Sequence, residues 1–196
     1  LIGFEEPVKK LFCQGMVCKE AYYCDKDKWL PESKVANGTC SICGSPVRSE
    51  VTKMSKTKLN TVSPEKIIER YGADTMRMYT LSDNPPDRDQ VWSETGVQGI
   101  NRFLNRLWDT YTEILADINS RKAEDSAKNA DKELRRVAHT TLQRCKQAFD
   151  ETWQFNTAIA RIMELLNIVR KQSGSVSVPV LRESMEILLK VLAPIA

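Results

Sequence analysis

In this 196-residue chain, the residues whose spacing most directly suggests a chemical role are two lysines, Lys53 and Lys56, which are separated by two residues. They lie in the run Lys53-Met54-Ser55-Lys56-Thr57. Two ammonium groups on a flexible segment can converge on one polyphosphate and stabilise the negative charge that grows as pyrophosphate is displaced. The hydroxyls of Ser55 and Thr57 and the backbone N–H groups can add hydrogen bonds. Lysine-rich loops are also common as solvated surface, so charge alone leaves both interpretations open.

The cysteines form a second group with chemical potential, because five of the six lie between residues 13 and 43. Without a secretory context, such clustering favours a metal over disulfides. Cys40 and Cys43 form a CxxC pair, and Cys18 and Cys24 are the natural second pair for a tetrahedral zinc. Cys13 could substitute for one of them, but it falls in a predicted buried strand and is assigned to the core. Four cysteine ligands leave no open position for water, which predicts a structural zinc; the alternative is a set of reduced, unligated thiols.

The bulk composition is that of an ordinary globular chain with little charge bias. Hydrophobic residues make up 41%, charged residues 28%, and the net charge of +3 permits a nucleic-acid partner without arguing for one. No apolar run approaches the length of a membrane helix and no signal peptide is visible, so we expect no membrane partner. The single histidine, His139, has no acid or cysteine close in sequence and is expected to be structural or at the surface. The first residue is not Met and the chain stops after an apolar run, which predicts a fragment.

The elements that must position these residues begin with a zone, residues 1–62, that shows no long helical period. We predict a buried strand over residues 10–18 and short strands around Tyr22, Trp29 and Val47.

Helices follow this zone. Ser63 and Pro64 form a helix start, with Ser63 as N-cap and Pro64 at the first helical position, and Gly72 suits the end of that helix. Residues 73–81 form a second helix, which Pro85 and Pro86 terminate.

The rest of the chain has the pattern of a helix bundle, with Ser93 able to cap its first helix. Residues 119–132 and 173–178 are expected to be loops or frayed ends. Apolar residues recur at a period of 3.6 on four successive helices. Helix by helix they are Ile100, Phe103, Leu104, Leu107, Trp108, Tyr111, Ile114, Leu115 and Ile118; Leu134, Ala138, Leu142, Cys145 and Phe149; Phe155, Ile159, Ile162, Met163, Leu166 and Val169; and Leu181, Met185, Leu188 and Leu192.

The order of residues around the lysines resembles a known family. The run KMSKT is similar to the KMSKS motif of class I aminoacyl-tRNA synthetases, and residues 58–64 (KLNTVSP) match the usual continuation. From about residue 5 to the end, the chain resembles the leucyl-tRNA synthetases of the bacterial type. The segments that carry this resemblance, in order, are Cys13-Gln14-Gly15-Met16-Val17, Tyr71-Gly72-Ala73-Asp74-Thr75-x-Arg77, Pro85-Pro86-Asp87-Arg88-Asp89, Trp92-Ser93, Gly96-Val97, Arg102-Phe103-Leu104-Asn105-Arg106-Leu107-Trp108 and Phe155-Asn156-Thr157-Ala158-Ile159-Ala160.

The resemblance implies a mainly α fold in three parts. Residues 1–17 and 51–81 would be the end of a Rossmann-type catalytic domain that carries the KMSKS-type loop. Residues 18–50 would be a zinc-binding, zinc-ribbon-like insert. Residues 82–196 would be a truncated helical tRNA-binding domain of the anticodon-binding type.

The resemblance also implies a chemistry: ATP-dependent activation of leucine and its transfer to tRNA(Leu), with Mg²⁺ accompanying ATP. Residues Lys53, Met54, Ser55, Lys56 and Thr57 would bind the ATP phosphates, with Lys53 and Lys56 catalytic and Lys56 at the position of the family's transition-state-stabilising lysine. Thr57 keeps the hydroxyl of the motif's last serine. A common glycine is replaced by Leu59, which is expected to reduce backbone freedom. The full-length enzyme is expected to be monomeric and cytoplasmic.

Half of the family's active site, the HIGH motif, does not occur in this sequence, so the chain alone is not expected to activate an amino acid. The alternatives are a non-catalytic module of a zinc ribbon and a helical bundle that binds nucleic acid, or an isoleucyl-, valyl- or methionyl-tRNA synthetase. The segments at 13–17 and 102–108 favour the leucine enzyme. Basic residues of the bundle are either a solvated face or phosphate contacts to tRNA that carry no sequence information. They include Arg102, Arg106, Arg135, Arg136, Arg144 and Lys146.

Overall fold

The computed structural model describes residues 3, 8, 11–121 and 128–196, and the chain forms two compact units. The strand unit comprises Leu1–Val62 and Pro86–Trp92, and the helical unit comprises Ser63–Pro85 and Ser93–Ala196. The predicted mainly α fold with a small β portion is confirmed.

The strand unit is organised around one long antiparallel pair. Strand β1 pairs with both β2 and β5 in an antiparallel manner and with β6 in a parallel manner, while β3 and β4 form a separate two-stranded ladder. The predicted strands around residues 22, 29 and 47 are confirmed. The strands are β1 (Val17–Cys24), β2 (Lys28–Leu30), β3 (Val35–Ala36), β4 (Thr39–Cys40), β5 (Val47–Lys53) and β6 (Gln90–Val91).

The strand predicted over residues 10–18 is wrong in its extent, because β1 begins only at Val17. Leu11 is 83% exposed and Cys13 is exposed, so the assignment of Cys13 to the core is also wrong. The two residues just before β1 are held by hydrogen bonds to residues 86–90. The Gly15 N–H donates to the Pro86 carbonyl at 2.8 Å, and the Gln90 N–H donates to the Met16 carbonyl at 2.9 Å. A Cβ on Gly15 would lie 2.1 Å from the carbonyl oxygen of Arg88, so only glycine allows this approach.

The helical unit contains the two short helices and the four-helix bundle that the sequence predicts. A short π-helical segment (Ala148–Thr152) separates the fourth and fifth helices, so Phe149 lies outside the helix that was predicted to contain it. The predicted loop at 119–132 lies partly outside the described residues. The helices are α1 (Pro64–Tyr71), α2 (Ala73–Ser82), α3 (Glu94–Ser120), α4 (Lys128–Gln147), α5 (Phe155–Gln172) and α6 (Val178–Leu192).

Of the three helix ends that the sequence predicts, two have the expected cap in the structure and one does not. The Ser93 Oγ accepts the Gly96 N–H at 3.2 Å, which confirms the cap of α3. Gly72 ends α1 with φ 86°, where glycine is favoured. Ser63 precedes Pro64 in an extended conformation, but its hydroxyl donates to the Glu65 carboxylate and does not cap a backbone N–H.

Helices α1 and α2 pack with the bundle, whereas the predicted boundaries grouped them with the catalytic end. The Asn101 side chain of α3 donates to the Tyr71 carbonyl at 3.2 Å and to the Thr75 hydroxyl at 3.1 Å. The Tyr79 hydroxyl accepts the Ser93 N–H at 2.8 Å. These bonds join α1 and α2 to α3 within the helical unit.

The apolar stripe predicted on α3 is wider than the face that the helix buries. Phe103, Leu107 and Ile114 are buried, but Trp108 is 67% exposed and Leu115 is 42% exposed. Helices α2, α5 and α6 contact one side of α3, so residues at the edge of a broad stripe stay in solvent.

A carboxylate on α6 joins two side chains of α4. The Glu183 carboxylate accepts from Arg135 Nε at 2.8 Å and lies 2.8 Å from His139 Nε2. His139 is therefore at the surface, as predicted, but it has an acid partner 44 residues away that its local sequence does not show. The hydrogen bonds from His139 and Arg135 lower the pKa of Glu183 below its usual value.

The buried thiol of α4 is a core group. Cys145 is fully buried, as its place on the predicted apolar face requires, and burial raises its pKa to about 11. Over the residues that the structure describes, every helix is too short or too polar to cross a membrane.

We predict that Glu183→Gln lowers the free energy of unfolding at neutral pH by about 0.5 kcal/mol, the size typical of a half-exposed ion pair. Because the folded-state pKa of Glu183 is depressed, its contribution exists above the unfolded-state pKa and is lost as the pH falls through the folded-state value. Urea unfolding at pH 7 and pH 3 measures this difference. The control is Glu186→Gln, which removes a partner of Lys190 on the same helix and should change stability less. An equal effect of Glu183→Gln at both pH values would contradict the assignment.

Candidate functional site

The lysine run forms a turn directly after β5. Its start is held by a hydrogen bond from the Met54 N–H to the Val17 carbonyl on β1, at 3.0 Å. The Lys58 N–H then donates to the Ser55 carbonyl at 3.1 Å, and the Leu59 N–H donates to the Lys56 carbonyl at 3.3 Å. The run therefore starts with the last residue of β5 and continues as a short hydrogen-bonded turn at the end of the β1–β5 pair, hereafter the ribbon.

The two predicted catalytic lysines are both exposed. Neither Lys53 nor Lys56 forms an ion pair with any residue in the part of the chain that the structure describes. The Thr57 N–H donates to the Ser55 hydroxyl at 3.2 Å, so one predicted donor supports the turn itself. The two ammonium groups are available to an anionic ligand from solvent.

The third lysine of this segment, Lys58, is neutralised by the strand unit. Its Nζ donates to the Glu50 carboxylate at 2.6 Å and to the Thr52 hydroxyl at 3.2 Å. The same Nζ lies 4.9 Å from the centre of the Trp29 ring, within cation–π range. Lys58 therefore anchors the turn, and sequence analysis did not distinguish it from its neighbours.

The turn closes through a left-handed residue. Leu59 has φ 56°, a conformation that costs a residue with a side chain about 1–2 kcal/mol, and its side chain is 46% exposed. This is the position at which the resemblance implies a common glycine. Leu59 thus adopts a backbone conformation that glycine would adopt without strain.

Four potential metal ligands meet at the opposite end of the ribbon. The Sγ atoms of Cys24, Cys40 and Cys43 and a carboxylate oxygen of Asp27 all lie within 4.8 Å of one another. The Sγ atoms of Cys24 and Cys43 are 3.5 Å apart, and the Cys40 Sγ is 3.2 Å from Asp27 Oδ2. Tetrahedral Zn–S bonds of about 2.3 Å put sulfur atoms about 3.8 Å apart, so these spacings are close to those of a zinc site.

Local backbone geometry positions each ligand. Cys24 is the last residue of β1 and pairs with Val47, and Asp27 lies in the turn between β1 and β2. The Gly44 N–H donates to the Cys40 carbonyl at 2.8 Å with Gly44 at φ 71°, and the Ile42 N–H lies 3.4 Å from the Cys40 Sγ. An N–H directed at a sulfur stabilises a thiolate, so the CxxC turn is shaped for a ligand pair.

The cluster shifts the acidity of its own members. The backbone N–H of Asp27 lowers the pKa of Cys24, while the Asp27 carboxylate raises the pKa of Cys43. In turn, the hydrogen bond from Cys43 lowers the pKa of Asp27. Thiols and a carboxylate thus share hydrogen bonds at this site, and a divalent cation binds such groups after their protons have left.

The predicted ligand Cys18 is not part of this cluster. It pairs with Lys53 at the lysine end of the ribbon, six residues along β1 from Cys24. Six residues of extended strand span about 20 Å, so one ion cannot contact both thiols. Asp27, three residues after Cys24, takes the fourth place. The acidic turn Asp25-Lys26-Asp27 was the available signal, and sequence analysis missed it.

Three thiols and one carboxylate suit zinc better than the other common metals. Thiolates select soft or borderline ions, and four protein ligands close the coordination shell. The apolar core of this hairpin is small, with Leu30 buried beside Cys24 and Cys40. Such a core gains more from a metal than a large one does.

Family models match two parts of this chain. A family model described as "tRNA synthetases class I (I, L, M and V)" matches residues 42–93, and one described as "Anticodon-binding domain of tRNA ligase" matches residues 131–196. The chain is 38% identical to the leucine–tRNA ligase of Desulfatibacillum aliphaticivorans, over 99% of the chain and 24% of that protein. It is 37% identical to the leucine–tRNA ligase of Nostoc punctiforme, over 100% of the chain and 23% of that protein.

A solved structure shares the fold. The ternary LeuRS–tRNA–LeuAMS complex of Agrobacterium radiobacter K84 agnB2 contains a chain that matches with a TM-score of 0.74 and 25% identity. The match covers 98% of the present chain and 22% of that chain. The present chain therefore spans about a quarter of the length of the curated relatives that it matches.

We predict that Leu59→Gly raises the free energy of unfolding by about 0.5 kcal/mol, because the relief of left-handed strain exceeds the added entropy of the unfolded chain. Leu59→Ala is the matched control, since it removes the side chain and keeps the strained Cβ. Urea denaturation of the three proteins measures the change. Equal stabilities of the glycine and alanine variants would refute the strain.

Proposed function

We propose that this chain is part of a class I tRNA synthetase and serves ATP-dependent attachment of leucine to tRNA(Leu) within a longer protein. It matches leucine–tRNA ligases along its whole length and a class I tRNA synthetase family model over residues 42–93. The observation that carries the proposal is the pair of exposed lysines, Lys53 and Lys56, on a turn within the matched synthetase region. Neither is committed to an ion pair among the described residues.

The proposed reaction has two steps. The carboxylate of leucine attacks the α-phosphorus of ATP and pyrophosphate leaves, and a ribose hydroxyl at the end of tRNA then attacks the adenylate carbonyl. The developing charge on the β- and γ-phosphates requires fixed positive charge nearby. Lys56 supplies it in this proposal, with Lys53 beside it, Ser55 and Thr57 as hydroxyl donors, and Mg²⁺ bound with ATP.

This chain contributes one part of such a site. Its single histidine, His139, is paired with Glu183 on the helical unit, and the sequence contains no HIGH motif. The present chain without the rest of the longer protein is therefore expected to be inactive in leucine activation.

The helical unit is proposed to dock tRNA. The anticodon-binding family match covers residues 131–196, which supports this role. Of the basic residues considered for phosphate contacts, Arg135 and Arg136 are engaged by Glu183 and Glu133. Within the matched residues 131–196, Arg144 and Lys146 are exposed near the end of α4 and form no ion pair in the described ranges, so they are better candidates than Arg135 and Arg136.

The thiol–carboxylate cluster is proposed to hold one structural zinc through Cys24, Asp27, Cys40 and Cys43. This proposal is supported by the positions of the four ligand atoms, which all lie within 4.8 Å of one another. A closed shell of protein ligands has no position for substrate or water, so its role would be to fold the hairpin. We also propose a cytoplasmic, monomeric enzyme; the six free cysteines suit a reducing compartment.

We predict that Lys56→Ala in the full-length enzyme slows ATP–pyrophosphate exchange by about 100-fold or more, because one transition-state charge contact is lost. Lys66→Ala is the matched control, since Lys66 is an exposed lysine on α1 and its loss changes the net charge equally. tRNA affinity and thermal stability should stay unchanged in both variants. Normal pyrophosphate exchange in Lys56→Ala would refute the proposed function of the loop.

We predict that purified, unchelated protein contains about one zinc per chain and that Asp27→Ala and Cys40→Ser lower this content. Cys18→Ser is the control, because the structure places Cys18 at the other end of β1. Metal content by mass spectrometry and hairpin protection by hydrogen exchange are the readouts. Zinc loss in Cys18→Ser without loss in Asp27→Ala would restore Cys18 as the ligand.

A further inference from the structure

A buried carboxamide lies beneath the lysine turn. Asn60 is 4% exposed, although it lies one residue after the exposed Leu59 in a segment of mostly polar side chains. A buried amide needs hydrogen bonds for both its oxygen and its NH₂ group. The partners of this side chain therefore indicate what it holds in place.

Both ends of the carboxamide are used. The Oδ1 of Asn60 accepts the Ser55 N–H at 2.8 Å. The Nδ2 donates to the Lys19 carbonyl on β1 at 3.0 Å, and it also lies 3.4 Å from the carbonyls of Thr52 and Lys53 on β5. The two N–H groups of Nδ2 therefore face three carbonyl oxygens, and the shortest of these distances is the one to Lys19.

These bonds tie the turn to the ladder that carries it. Lys19 and Thr52 are directly paired between β1 and β5, so the carboxamide sits at the last rungs of the ribbon. The N–H that it fixes belongs to Ser55, between the two free lysines. The Met54 N–H is held by β1 next to it, so consecutive amides inside the lysine run are both anchored.

We propose that Asn60 is the positioning residue of the lysine turn: its buried carboxamide fixes the backbone at Ser55 and thereby directs Lys56 toward the polyphosphate that Lys53 also faces. The inference rests on the proposed function of the loop. Asn60 lies beneath the turn and acts through Lys56. It is therefore not a catalytic residue.

The chemistry of the side chain explains why asparagine is required. Aspartate has the same shape, but it has no hydrogen to donate, and it would place a carboxylate oxygen against the carbonyls of Lys19, Thr52 and Lys53. Alanine removes every bond without adding repulsion. The two variants disturb the turn by different routes, and both leave Lys53 and Lys56 in the chain.

The test uses the full-length enzyme with Asn60→Asp, Asn60→Ala, Lys56→Ala and the double variants. We expect either Asn60 variant to lower kcat of ATP–pyrophosphate exchange by about tenfold or more, since small misplacements of a reacting group are costly. The KM for leucine and the affinity for tRNA should be unchanged. In the Lys56→Ala background, the Asn60 changes should add little, because both act on one interaction.

The outcomes separate this inference from the function on which it rests. If Lys56→Ala abolishes exchange while both Asn60 variants keep kcat within twofold, the positioning role is overturned and the proposed function stands. The positioning role would also be overturned if the fold-loss of kcat in the double variant equalled the product of the losses in the two single variants. Asn60 would then act independently of Lys56. If Lys56→Ala itself retains exchange, the proposed function falls. Thermal melting and tRNA binding identify a variant that fails to fold, and the second Asn60 variant then decides.

Discussion

The antiparallel pairing of β1 with β5 is the constraint on which the candidate site depends. The ladder runs from Cys18 opposite Lys53 to Cys24 opposite Val47. One end of this ribbon therefore leads into the lysine turn, and the other end carries Cys24, the first thiol of the metal-ligand cluster. If β5 shifted by one residue against β1, its side chains would point to the opposite face of the sheet. The lysine turn and the thiol cluster would then both lose their present positions.

The ribbon also separates the two chemistries. Seven paired residues of extended strand span roughly 20 Å, which is too far for a metal at the cluster to contact phosphates at the turn. A zinc ion at Cys24 would therefore act on the lysines only by stabilising the strands that carry them. At the lysine end of the ribbon, Lys58 and Asn60 attach the turn to the strands. Lys58 contacts Glu50 and Trp29, and Asn60 donates to carbonyls of β1 and β5.

The helical unit follows different physics. Its stability comes from apolar residues that are almost fully buried, such as Ile162, Leu166 and Leu188, and its polar contacts sit at the margins. The ion pair and hydrogen bond from Glu183 to Arg135 and His139 are half-exposed and therefore weak. The hydrogen bonds of Asn101 connect α3 to the end of α1 and to α2.

The sequence by itself determined the features that depend on local spacing. The lysine run, the CxxC pair, the cap at Ser93, the stop at Gly72 and the helical periods all follow from neighbours a few residues apart. The structure confirms the cap at Ser93, the end of α1 at Gly72 and the helices, while the roles of the lysines and cysteines stay predictions. Only the tertiary structure decided which distant groups meet. Asp27 replaces Cys18 because an extended strand holds Cys18 far from the cluster, and His139 finds Glu183 because α4 packs on α6. The exposure of Trp108 and the burial of Asn60 also depend on what packs around them, and no local pattern encodes that.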